Sequence, residues 1–220
     1  MAIVSFMFKK NIIVKIIKIL EYIYPNAKTD LQHLSPFELL IATMLSAQCT
    51  DKIVNIVTPV LFSKYPTPEA LSIANVPDVE NIIMSTGFYK NKTKNIIETS
   101  KVLVSNFNSA VPQTMDELTT LPGVGRKTAN CVLGNYFQPQ GIVVDTHVIR
   151  ITNLIGIVST KNAENIEKQL IDIVPKQYWV KFTHLLINHG RSICIARRPK
   201  CPQCSINKYC QYFTKKVSNI

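Results

Sequence analysis

Residues 114–137 read TMDELTTLPGVGRKTANCVLGNYF. Thr114-Met115-Asp116-Glu117 has the form of a capping box, in which a threonine caps the first amides and a glutamate three residues on closes the loop. The helix it opens is short, because Pro122 and Gly123 end it. A second helix begins near Arg126 and runs through TANCVLGNYF. Two helices joined by L-P-G-V-G make a helix–hairpin–helix. The chain has only seven glycines, and two of them stand in this turn. Gly123 and Gly125 are expected to take positive φ and to bring backbone amides close to a ligand. The turn leads into a helix N-terminus, where free N–H groups and the dipole favour an anion. A DNA phosphate held without reading sequence fits that description, and so does a plain connection between two helices.

Lys127 lies in the first turn of the second helix, where the dipole disfavours a cation. Such placement favours the neutral amine that nucleophilic catalysis needs. A phosphate contact or a solvated lysine would use the same position.

The rest of the chain also reads as helices joined by short turns. Ser35-Pro36-Phe37-Glu38 is another capping box with proline at the first helical position, opening a helix through LLIATMLSAQ. Thr67-Pro68-Glu69 and Pro77-Asp78 open two more. Gly87 breaks the chain before a long helix near 90–107. Residues 141–145, GIVVD, form a brief extended piece, and Asp145 caps the helix THVIRITNLIG. Helices near 162–173 and 178–189 follow, with Gly190 as the stop. At the N-terminal end NIIVKIIKILEYIY (11–24) has the spacing of an amphipathic helix. No strand pattern of useful length occurs, so the fold is expected to be all-α.

The composition is 46% hydrophobic, enough for a real core, and the net charge is +11. The charge is uneven: from Val174 to Ile220 there is no Asp or Glu but nine Lys and Arg. They are Lys176, Lys181, Arg191, Arg197, Arg198, Lys200, Lys208, Lys215 and Lys216. A one-signed field of this size calls for a polyanionic partner. The start, MAIVSFMFKK, carries its charges after the apolar run, the reverse of a signal peptide. No uncharged run reaches the length of a membrane span. These features lead to the expectation of a soluble, cytoplasmic protein with no membrane partner.

There are six cysteines. Cys49 and Cys131 stand alone in apolar surroundings and are read as small hydrophobes inside helices. The other four cluster as Cys194-x6-Cys201-x2-Cys204-x5-Cys210. Disulfides are disfavoured in an intracellular chain, which leaves a metal. Structural zinc takes four thiolates, usually as two close pairs. Here there is one C-x2-C pair flanked by single cysteines, and a compact loop with uneven gaps suits a [4Fe–4S] cluster.

Taken together, these stretches resemble endonuclease III, the iron–sulfur glycosylase and abasic-site lyase family of the helix–hairpin–helix glycosylases. The matching segments are SPFELLIATMLSAQCTD (35–51), GFYKNKTKNI (87–96), LPGVGRKTAN (121–130), VDTHVIR (144–150) and HGRSICIARRPKCPQC through Cys210. Residues 1–30 carry little of the resemblance.

The resemblance implies two helical lobes: a six-helix barrel near 29–139 with the hairpin at about 114–137, and a discontinuous iron–sulfur lobe of 1–28 plus 140–220. It implies DNA lying in a cleft between them, with Lys127 on one side and Asp145 on the other, and one [4Fe–4S] cluster on Cys194, Cys201, Cys204 and Cys210. Lys127 then attacks C1′ of an extruded nucleotide and displaces an oxidised pyrimidine, and β-elimination through the Schiff base cuts the strand 3′ to the abasic site. Asp145 matches the family's catalytic aspartate and either deprotonates Lys127 or stabilises positive charge on the sugar. Gln48 matches the glutamine that fills the gap left by the flipped base, and Phe88 the position of the apolar wedge. The clamp residues Leu121, Gly123, Gly125 and Arg126 are DNA contacts on this reading. So are His147, whose part stays open, and the basic residues Arg191, Arg197, Arg198 and Lys200. The expected partner is double-stranded DNA with a damaged pyrimidine or an abasic site, bound by a monomer. The related adenine mismatch glycosylases are the nearest alternative, but as a family they lack the hairpin lysine. A non-catalytic iron–sulfur DNA-binding protein is the other; it needs neither Lys127 nor Asp145.

Overall fold

A computed structural model describes residues 2–217, with the side chains of 9–215. The described residues are helical, with no strand among them. Twelve α-helices follow in chain order: α1 (Ala2–Ile23), α2 (Pro36–Leu45), α3 (Asp51–Lys64), α4 (Pro68–Ser72), α5 (Val76–Ile83), α6 (Tyr89–Phe107), α7 (Met115–Thr120), α8 (Arg126–Tyr136), α9 (Thr146–Ile155), α10 (Ala163–Ile173), α11 (Trp179–Ser192) and α12 (Gln211–Val217). The chain divides into two compact units, one of residues 29–140 and one of residues 1–28 with 141–220. Each has its own apolar core.

In the 29–140 unit, α2 is apolar on every side, with Leu39, Leu40, Ile41, Ala42 and Leu45 fully enclosed. That is the pattern of a central helix rather than a surface one, and α2 packs on α3, α6 and α8. Its start is set by Ser35, whose hydroxyl accepts from Glu38 N at 3.1 Å. Glu38 reaches back to Leu34 N at 2.6 Å rather than to the cap residue itself. The helix ends at Leu45, short of the expected Gln48: residues 46–49 form a tight turn, and Gln48 has φ 54°. Helix α3 was not evident from the sequence; Thr50 caps it by accepting from Ile53 N, and Pro59 lies inside it. Cys49 therefore sits in the turn before α3, not inside a helix, while Cys131 is within α8.

In the other unit, α1 buries Ile13, Ile16, Ile17 and Leu20, the i, i+3, i+4, i+7 stripe of an amphipathic helix. It packs on α10 and α11, and α9 packs on α11 and α12. Gly190 does not stop α11, which continues to Ser192. A Cβ there would collide with Nδ1 of His147 and press on Arg150. This glycine lets α11 and α9 approach closely; it is a packing glycine, not a terminus.

Candidate nucleic-acid interface and cysteine cavity

Helix α6 is the spine of the first group of site residues. Phe88 is its N-cap, with φ 47°, and stays 65% exposed. An aromatic ring left in solvent by a left-handed turn is not serving the core. Farther along α6, Thr99 Oγ1 donates to Pro122 O at 2.7 Å, holding the hairpin turn. Asn95 packs against Gly123.

Within that turn the two glycines do different work. Gly123 has φ +74°, as expected, and a Cβ there would strike Asn95 at 2.7–2.9 Å. Gly125 has φ −95° and ψ 174°, which is ordinary extended backbone. The expectation of positive φ at Gly125 is therefore corrected. A Cβ at Gly125 would also meet nothing within 4 Å. Neither conformation nor internal packing requires a glycine there, and its bareness leaves the N-terminus of α8 open. No side chain caps that terminus, so its first amides rely on partners from outside the helix. Leu121 is buried at 2% and Val124 at 5%, so the apolar residues anchor the turn from beneath. The Leu121 side chain belongs to the core. Arg126 and Lys127 are exposed in the first turn of α8.

Gln48, Phe88 and Gly123 line one pocket of about 200 Å³ with Met44, Asn91, Lys92 and Asn95. Lys92 was missed by sequence reading. Its Nζ donates to Leu45 O at 2.8 Å and to Thr86 O at 2.9 Å, and burial lowers its pKa.

In the second unit, Asp145 caps α9 by accepting from Val148 N at 2.8 Å through Oδ1. Its other carboxylate oxygen has no part in that bond. His147 is half-buried, with Nδ1 3.3 Å from Arg150 Nη2. Burial holds its pKa below the usual imidazole value; Asp145 pulls the other way, and Arg150 and Arg191 reinforce the depression. The imidazole is thus biased toward its neutral form. Arg150 also donates to Cys194 O and lies 3.4 Å from Cys194 Sγ. A polar chain therefore runs from His147 through Arg150 to the cysteine loop.

All four clustered cysteines line one apolar cavity with Ile151, Leu154, Ile155, His189, Ile206 and Phe213. None of them is in a disulfide. Burial raises Cys194 and pushes Cys204 up to about 11. His189 Nε2 lies 3.5 Å from Cys204 Sγ. Burial, with Arg150 nearby, brings the His189 pKa down to about 4. Around the cavity Arg191, Arg197, Arg198 and Lys200 are exposed, and Lys208 lies 5.2 Å over the Tyr209 ring. The side chain of Lys216 lies outside the described residues. No helix among those described is long and apolar enough to cross a membrane.

Residues 41–176 match the family described as HhH-GPD superfamily base excision DNA repair protein. Endonuclease III of Synechocystis sp. is 44% identical over 203 residues, 92% of this chain and 93% of its own length. Endonuclease III of Escherichia coli K12 is 44% identical over 87% of this chain and 90% of its own. The chain belongs to the endonuclease III family of that superfamily. Among solved structures, a non-covalent endonuclease III–DNA complex has a TM-score of 0.89 at 40% identity, covering 95% of this chain and 98% of its own. A trapped covalent endonuclease III–DNA intermediate has a TM-score of 0.88 at 41% identity, covering 94% of this chain and 98% of its own.

Proposed function

We propose that this protein is a bifunctional DNA glycosylase and abasic-site lyase, removing oxidised pyrimidines from double-stranded DNA as a monomer. The observation that carries the reading is the exposed Lys127 in the uncapped first turn of α8, directly behind the glycine turn. A non-catalytic DNA-binding protein would need the turn but not the amine.

The chemistry needs the damaged nucleotide out of the stack, since no side chain reaches C1′ within a duplex. Gln48 and Phe88 occupy the space it leaves. Backbone amides of the turn at Gly123 and Gly125, with Arg126 beside them, hold a phosphate next to it. Lys127 Nζ attacks C1′ as the C1′–N bond breaks, and the base departs with its electron pair and a proton. Sugar-ring opening gives the protonated imine. Loss of a C2′ proton then expels the 3′ phosphate, and water releases the unsaturated aldehyde and the free lysine. Asp145 keeps one carboxylate oxygen on Val148 N. The other is available to take the lysine's proton or to face positive charge at C1′.

The four cysteines fit a [4Fe–4S] cluster better than zinc. A single zinc would draw the sulfurs to about 2.3 Å from one centre. Here the four thiols line one cavity, supplied by a single C-x2-C pair and two flanking cysteines rather than by two close pairs. That cavity is apolar, and a cluster would hold the loop of residues 194–210 in shape so that its basic residues meet phosphates.

The test is incubation with a duplex carrying one thymine glycol, with and without borohydride. Excision, strand cleavage and a borohydride-dependent covalent adduct are expected. An adduct that persists in Lys127→Ala would remove Lys127 as the nucleophile.

A further inference from the structure

The two side chains assigned to enter the duplex sit at the tips of turns that are costly to hold. Gln48 has φ 54° and Phe88 has φ 47°, and neither is a glycine. Left-handed residues of this kind persist only where the surroundings fix them. The turns are remote in sequence, yet one side chain reaches both.

Lys92 Nζ donates to Leu45 O, the last residue of α2 and three before Gln48, at 2.8 Å. It also donates to Thr86 O, two residues before Phe88, at 2.9 Å. Its own amide donates to Phe88 O at 3.1 Å. The residue is only 7% exposed. Lysine is seldom enclosed unless it is paired, and an apolar side chain would fill the space without any desolvation cost. What the ammonium adds is a two-ended tie. One end satisfies a carbonyl at the C-terminus of α2, where a positive charge is favourable, and the other holds the carbonyl just before the wedge.

We propose that Lys92 is a positioning residue that ties the Gln48 turn to the Phe88 turn, so that both side chains enter DNA as one preset pair, an inference that rests on the base-excision reading above. Lys92 acts through those two residues and takes no part in the chemistry at C1′.

The experiment is a double-mutant cycle on the full-length, cluster-loaded protein. Single-turnover excision of thymine glycol at saturating enzyme is measured for wild type, Lys92→Met, Gln48→Ala, Phe88→Ala and the two double variants. Lys92→Met is expected to slow excision by about 10²-fold, the scale of a small misplacement in a catalytic assembly, while affinity for undamaged duplex stays near wild type. In the Gln48→Ala and Phe88→Ala backgrounds the same change is expected to cost far less, because coupled residues are not additive. An equal cost in all three backgrounds, or full activity in Lys92→Met, overturns the proposal. Lys92→Gln, whose shorter amide serves at most one of the two carbonyls, runs through the same cycle if the methionine variant does not fold.

Amide hydrogen exchange reads the tie without any activity. Exchange at residues 46–48 and 86–88 should accelerate together in the variant while the interiors of α2 and α6 keep their protection. Unchanged exchange at either turn overturns the proposal. Wild-type protein that leaves thymine glycol in place would sink the base-excision reading, and the exchange experiment still decides on the tie.

Discussion

Asn95 occupies the space that a side chain on residue 123 would need. A Cβ on Gly123 would lie 2.7 Å from Asn95 Nδ2 and 2.9 Å from Asn95 Cβ. Helix α6 thus fits against the hairpin turn at the one residue whose φ is left-handed.

Gly123→Ala should therefore be damaging twice over. The left-handed backbone costs a non-glycine residue about 1–2 kcal/mol, and Asn95 must move as well. Urea unfolding should show a loss of at least that size. Fluorescence anisotropy should show weaker binding to undamaged duplex, because the displaced turn no longer presents its amides. Gly125→Ala is the contrast: it should leave stability nearly unchanged, since its Cβ meets nothing within 4 Å, while weakening DNA binding by blocking close approach.

At Asp145 the observed cap and the proposed catalytic role separate by substitution. Asparagine caps a helix about as well as aspartate, whereas alanine loses about 1 kcal/mol. Asp145→Asn should keep the thermal midpoint and lose about 10²-fold or more in single-turnover excision, the usual reach of acid–base catalysis. Asp145→Ala should lose both. Equal, small losses in the two variants would leave only a cap.

The exposed Arg197, Arg198 and Lys200 make a salt-dependence test direct. Log affinity for duplex DNA should fall linearly with log salt, by about 0.9 per phosphate contact. Replacing all three with glutamine should flatten that slope by up to about 2.7 on the same scale. A slope identical to wild type would place these residues off the DNA.

The proposed cluster is tested at Cys204, where a Cys204→Ser change should lower the iron content. Purified wild type is expected to carry about four iron atoms per chain and a broad visible absorbance. The serine variant should fall well below that, and the loop near residues 194–210 should become the first site of proteolysis. Stoichiometric zinc in wild type would reverse the assignment.

Much of this was readable because it is local. Ser35, Thr67, Thr114 and Asp145 cap their helices as their sequence contexts indicate, since a cap acts over three residues. The four cysteines meet in one cavity within seventeen residues of chain. What escaped was tertiary. Gly190 looks like a helix stop, and only the nearness of His147 explains a glycine inside α11. Gly125 looks like a twin of Gly123 but is wanted for bareness, not conformation. Lys92 was invisible because both its partners are backbone carbonyls, one of them 47 positions away. A carbonyl leaves no mark on a sequence.

Helix α6 also imposes a constraint on length. Phe88 caps this helix, and along it Lys92, Asn95 and Thr99 reach the Leu45 and Thr86 carbonyls, Gly123 and the Pro122 carbonyl from one rigid rod. From Phe88 to Thr99 that rod spans about 16 Å, at 1.5 Å per residue. One inserted residue would rotate everything beyond it by about 100°, swinging Thr99 away from Pro122 while Phe88 stayed in place. The segment is a ruler. Its composition tolerates change wherever the side chain faces solvent, but its residue count does not.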